Sequence, residues 1–318
     1  MPLRAILPQG PTLLALGVFL GLALPDLAAA ARPLMPAAIF LIVLGPLLRI
    51  DRVAVGRALR RPALSLVLPL LAMVASPFLA AALAAFAGLG PDLTLALVLA
   101  AAAPPSSGTA AVAGMLGLDA AAPLVATLVA MALAPFTVPV AAAWCGGLSI
   151  APLTLAWKLG LLVGGAAALA VLARRHAAGA LAVHGRLVDG IVVAALIVFA
   201  LATMAGMRTA IAADPGLALR SLALAFATNA GLQVAGALAL PGSLRERLAA
   251  GLVLGNRNVG LVWSALGTAA GPQLALYFAA CQLPIYILPR FLQILSARQE
   301  RARRFLPFKT QGCDPWRN

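Results

Sequence analysis

From Pro11 to Ser296 the chain is a succession of apolar runs separated by short turns, with its charge gathered in the turns, at the ends of the runs and in the tail beyond. Most runs reach the roughly twenty residues a helix needs to cross a bilayer. No soluble domain could hide that much apolar surface: 63% of the 318 residues are hydrophobic, 10% are charged, and the mean hydropathy is +1.03. The chain is therefore expected to be an all-α polytopic membrane protein with the lipid bilayer as its solvent. A short first span from about Pro11 to Pro25 is followed by spans at 34–50, 62–88, 92–117, 121–144, 152–173, 187–207, 216–240, 245–270 and 272–296, ten in all. The opening segment with its Ala-rich continuation also reads as a signal peptide. A retained span is favoured because the internal duplication below needs it.

The net charge of +14 does not point to nucleic acid, because the basic residues fall in short clusters between the apolar runs. With the N-terminus in the cytoplasm, 18 of the 23 Lys and Arg residues lie on the inside; Arg32, Arg208 and Arg220 lie outside, and Lys158 and Arg257 lie within spans. That bias is the positive-inside pattern, and it supports ten spans in the inner (cell) membrane with both termini cytoplasmic. The basic segment 297–318 reads as a tail facing lipid headgroups. Lys158 is close enough to a span end to snorkel, and His176 and His184 fall in a basic loop. Cys145 and Cys281 read as small packers and Cys313 as tail, with no metal-like spacing among them.

Two spans are interrupted. Span 9 contains GLVLGNRNVGLVWSALG at 251–267, where Asn256, Arg257 and Asn258 stand between Gly255 and Gly260. An arginine facing lipid there costs several kcal/mol, so Arg257 must face protein or water. An extramembrane loop is the competing reading, but no normal span fits on either side of it. Span 4 contains AAAPPSSGTAAVAG at 101–114, where Pro104 and Pro105 remove helix donors and Ser106, Ser107, Gly108 and Thr109 offer caps for a restarting helix. Each break falls in the fourth span of a five-span half, and because five is odd the second half enters the membrane reversed. The expected architecture is thus two inverted five-helix repeats, 11–144 and 152–296, with helices 4 and 9 broken. Paired breaks of this kind point to a transport site at the membrane midplane.

These stretches resemble the bile acid:sodium symporter family. PPSSGTAAVAGMLGLDAAAPLVATLVAMALAPFTVPV at 104–140 is similar to its crossing motif, and GNRNVGL at 255–261 to its Gly-x-Gln-Asn-x-Gly-Leu. The resemblance implies that spans 4 and 9 cross near the membrane centre, that spans 3–5 and 8–10 form a core, and that spans 1, 2, 6 and 7 form a panel moving against it. It also shows what is missing. The family's ion-binding glutamate falls on Val253 and its sodium-ligating glutamine on Arg257; a serine-asparagine pair becomes Thr109 and Ala110, a serine in span 5 becomes Pro123, and a polar residue in span 3 becomes Ala72. Thr127 survives as a weak residual sodium-site candidate.

Charge accounting leads to the same place without the family. All nine acids lie in loops, at span ends or in the tail, and a cation in low dielectric needs compensating ligands. Arg257 would repel a sodium ion about 4 Å away by about 4 kcal/mol at an effective dielectric of about 20. A helix restarting after Asn258 and another beginning near Ser106 aim free N–H groups at the breaks, and Arg257 adds a forked donor suited to a carboxylate. The alternative role for Arg257 is to knit the half-helices together by bonding their free carbonyls. The candidate binding set is Arg257, Asn256, Asn258, Ser106, Ser107, Thr109 and Asn229. Asn229 belongs with Thr228 and Gln233 to a polar group on span 8 that lines a cavity or bonds a neighbouring helix.

The expected function is a secondary transporter of a small organic anion, with no cofactor, no metal and no coupling to sodium. A sodium-dependent symporter with altered ligands, or a sensor or channel derived from a transporter, is the alternative. An enzyme would need a nucleophile, base or metal cluster at membrane depth, and an arsenite exporter would carry a thiol where Ser106 and Ser107 stand. The sequence carries no signal for oligomeric state.

Overall fold

The computed structural model describes residues 10–50, 52–118, 120–285, 287 and 288. Arg4, Cys313 and the tail 297–318 lie outside the described residues. Among the described residues the chain is helical throughout, with one isolated β-bridge. Six helical segments are long and apolar enough to cross a membrane: Pro25–Leu48, Ser65–Phe86, Ala121–Cys145, Pro152–His176, Gly185–Ala213 and Pro215–Ala239.

The elements that position the site are α1 (Gly10–Ala23), α2 (Pro25–Ala31), α3 (Met35–Leu48), α4 (Ser76–Phe86), α5 (Pro91–Ala102), α6 (Thr109–Met115), α7 (Ala121–Cys145), α8 (Pro152–His176), α9 (Gly185–Ala202), α10 (Pro215–Ala239), α11 (Leu244–Gly255), α12 (Val259–Leu266) and α13 (Pro272–Ala280). Proline opens α2, α5, α8, α10 and α13. At the first turn its missing N–H has no intrahelical partner to lose and its φ is already helical.

The second span begins earlier than the sequence pattern suggests. Instead of a loop before residue 34, α2 runs through a 3-10 turn at Arg32–Leu34 directly into α3. Four alanines at 28–31 carry high helix propensity, and Pro33 and Pro36 both fall in opening turns where they are tolerated. Among the described residues, the stretches of the other expected spans hold shorter helices: α1, the pair α5 and α6, the pair α11 and α12, and α13.

Span 3 is irregular in a way that matters for the site. Ala63–Val67 and Leu71–Ala75 are wound as π-helix. The N–H of Ser76 therefore reaches back to the carbonyl of Leu71, leaving that of Ala72 without its usual donor. In the wider register Ala72 would take the N–H of residue 77, but that residue is Pro77 and has none. A buried backbone carbonyl is thus left open toward the protein interior.

Packing follows from small side chains. Gly255, at the end of α11, sits so close to α10 that an added Cβ would lie 2.8 Å from the carbonyl oxygen of Asn229 and 2.2 Å from Cγ of Gln233. Such glycine contacts let helix backbones approach where lipid supplies no hydrophobic drive between helices.

Candidate functional site

The two breaks cross. The N–H of Ser106 donates to the carbonyl of Asn256 at 2.7 Å, and the N–H of Asn258 donates to the carbonyl of Pro104 at 2.7 Å. These bonds pair Pro105 with Arg257 in an antiparallel bridge. Each break supplies the partners that the other's interrupted backbone lacks, the condition for irregular backbone away from water.

The two restarts differ. Asn258 caps α12, its side-chain oxygen accepting from the N–H of Leu261 at 3.2 Å. In span 4 the helix restarts at Thr109, three residues later than Ser106, and has no side-chain cap. The reason is local: the carbonyl of Ser106 accepts the N–H of Thr109 at 2.9 Å and its hydroxyl accepts that of Gly108 at 3.4 Å, so Ser106 to Thr109 form a tight turn before the helix.

Arg257 is 4% exposed, and its guanidinium has structural partners. Nη1 donates to the carbonyl oxygens of Ala72 at 2.9 Å and Ala103 at 3.2 Å, and Nη2 donates to the hydroxyl of Ser76 at 2.6 Å. Ser76 in turn donates to the carbonyl of Leu71 at 2.9 Å. Both carbonyls bound by Arg257 are ones that proline sets free: Pro77 frees Ala72, and Pro104 and Pro105 end α5 just beyond Ala103. The arginine thus ties the span 9 break to the span 4 break and to the π-wound part of span 3. Nε has no hydrogen-bond partner. The guanidinium is directed at these acceptors, none of which lines the main cavity.

That cavity, about 270 Å³, adjoins the crossed breaks. One wall is polar and comes from Ser106, Ser107, Thr109, Asn256 and Asn258, with Arg257 also contributing to the lining. The opposite wall is apolar and comes from α3 and α9, with Ile39, Ile42, Val192, Leu196 and Phe199. Gly108 and Ala111 on its lining are exposed, so the cavity is open at that end. Gln282, which the sequence reading passed over, also lines it; a glutamine in an otherwise apolar run was the available signal.

The remaining candidates lie elsewhere. Asn229 is outside the main cavity: its side-chain nitrogen donates to the carbonyl of Gly255 at 2.9 Å, and its oxygen accepts from Gln233 at 2.6 Å. The first of these bonds ties α10 to the end of α11, and the second lies within α10. Thr127 is buried on α7, also away from the cavity, and its hydroxyl has no hydrogen-bond partner. Lys158, His176 and His184 are exposed. At the end of the cavity nearer the basic loops, Arg49 pairs with Asp189. No protein-family model and no curated protein matches the chain.

Proposed function

We propose that the chain is a secondary transporter of a small organic anion, similar to the bile acid:sodium symporter family but not coupled to sodium. The reading takes ten spans in two inverted repeats, with spans 3–5 and 8–10 as core and spans 1, 2, 6 and 7 as panel. It sets the protein in the inner membrane with both termini in the cytoplasm. The observation that carries it is the meeting of two broken helices at the polar wall of a two-faced cavity beside a buried arginine. A polar wall facing an apolar one suits a ligand with a charged or polar head and a hydrocarbon body. At about 270 Å³ the cavity is slightly smaller than the roughly 300–1,000 Å³ of drug-sized sites. A compact carboxylate fits such a space better than a large amphiphile.

In this reading Arg257 acts by its charge, while direct contacts fall to Ser106, Ser107, Thr109, Asn256 and Asn258. Across about 8 Å at an effective dielectric of about 20, a fixed positive charge favours an anion by about 2 kcal/mol. The test is uptake by proteoliposomes of a panel of labelled small carboxylates. Saturable uptake of at least one, competed by its unlabelled form, is the expected result. Failure of every anion alongside uptake of a neutral or cationic solute would overturn the anion assignment.

A further inference from the structure

Exposed Gly108 and Ala111 mark the open end of the main cavity. Its apolar wall, α3 and α9, runs from the crossed breaks toward Pro46 and Val192, each three residues from a member of the Arg49–Asp189 pair. On the other side of the breaks the same wall is pressed against α12. A Cβ added to Gly260 would lie 2.4 Å from Cζ of Phe199 and 2.8 Å from Cδ1 of Ile39, so no side chain larger than hydrogen fits while the two sides touch. One turn further along α12, Trp263 is fully buried and the guanidinium carbon of Arg32 stands 4.7 Å from its ring centroid. Arg32 sits in the 3-10 turn that leads into α3, and Trp263 belongs to the helix that restarts after the break. Their contact therefore spans the same two walls that stand apart around the cavity.

We propose that Arg32 and Trp263 form the latch of a gate at the closed end of the cavity, with Gly260 against Phe199 and Ile39 as its seat. The two walls part there when the cavity opens to the other side of the membrane. This rests on the transporter reading, under which the open end faces the cytoplasm and the latch faces outward. The pairing suits a contact that must both hold and release. A cation over an indole face is attractive but weaker than a buried ion pair. Arg32 has no ion-pair partner among the described residues, so the aromatic face is its identified electrostatic contact. Glycine at 260 lets the walls meet without a side chain that would wedge them open.

The test measures access from each side with a membrane-impermeant maleimide on the full-length protein in membranes of known orientation. Ile42→Cys, on the cavity wall one turn away from the seat, reports on the middle of the pathway and Ala111→Cys on the open end, each corrected for labelling of the native cysteines. In the parent both positions should label from the cytoplasmic side and Ile42→Cys should be protected from outside. Arg32→Gln, Trp263→Leu and Gly260→Ala should each raise outside labelling of Ile42→Cys by roughly tenfold and lower cytoplasmic labelling of Ala111→Cys, because a two-state gate opens one end as it closes the other. Arg32 is the key variant, since it is only half-buried and its replacement leaves the core untouched. Unchanged outside labelling in Arg32→Gln overturns the latch, as does faster labelling from both sides, which is the mark of general loosening. A parent that labels from outside and not from the cytoplasm overturns the orientation in the transporter reading, leaving the latch to be read from the opposite side.

Discussion

At the scale of single residues, Arg257 shows how a charge can be kept in a low-dielectric interior without a carboxylate. Its named partners are two carbonyls and one hydroxyl; the carbonyl of Ala72 is free because Pro77 cannot donate to it in the wider register, and that of Ala103 because α5 ends before Pro104 and Pro105. Removing one member of such a set leaves the group it bonded unsatisfied, at a cost of about 1–3 kcal/mol. Ser76→Ala is accordingly expected to fold but to melt several degrees lower in detergent; an unchanged melting temperature would mean that the Nη2 contact contributes nothing. Arg257 separates charge from geometry in a second comparison. Lysine keeps the charge but cannot reach three acceptors with one fork, so Arg257→Lys should lose stability while retaining part of the anion uptake. Arg257→Gln should stay folded and lose uptake more severely. If Gln transports as well as the parent, the arginine is purely a structural tie. The arginine's position was legible from the triplet Asn256–Arg257–Asn258. Its partners were not, because sequence shows side chains while two of the three acceptors are backbone oxygens. Pro77, five residues after Ala72, was the available clue.

At the scale of elements, what the sequence made legible was where helices fail. Pro104 and Pro105 in one run and three polar residues in another are incompatible with an unbroken apolar helix, and the structure breaks both there. The exact restart was less legible. Ser106 is as good a cap as Asn258 by residue type, yet its carbonyl and hydroxyl take the N–H groups of Thr109 and Gly108 in a local turn, which leaves the helix to begin at Thr109. Asn229 presents a related ambiguity. A polar residue in a span satisfies either a ligand or a neighbouring helix, and its partner, the carbonyl of Gly255, exists only because α11 stops there. The junction of α10 with α11 should therefore be sensitive at both partners. Gly255→Ala forces a methyl group against the carbonyl of Asn229, and overpacking of this kind costs about 1–3 kcal/mol. Asn229→Ala leaves the Gly255 carbonyl without its donor. Both variants should show lower thermal stability by fluorescence-detected size exclusion, and a normal melting curve for Gly255→Ala would require α10 and α11 to move apart.

At the scale of the whole molecule, the transporter proposal raises the question of which charge would cross the membrane with its substrate. Among the described residues, the groups around the crossed breaks include a guanidinium, amides, hydroxyls and backbone dipoles, and no carboxylate lines the main cavity. Val253, in the last turn of α11 before the break, is fully buried. Arg257 reaches into span 3 and takes the carbonyl of Ala72 for itself. A sodium ion entering there would have to displace the arginine from oxygens it already occupies, and would meet a repulsion of about 4 kcal/mol at about 4 Å with an effective dielectric of about 20. Such a penalty lowers occupancy by about a thousandfold. The arginine does not titrate in the physiological range, so it cannot serve as a proton carrier either. Under the transporter proposal, exchange or facilitated diffusion of an anion is then the simplest mode left. Uptake into proteoliposomes should accordingly be the same with sodium, potassium or choline outside, at clamped membrane potential, and should respond instead to anion loaded inside. A saturable stimulation by sodium alone would show that an ion still binds near the breaks, and that the positive charge of Arg257 does not stand in for it.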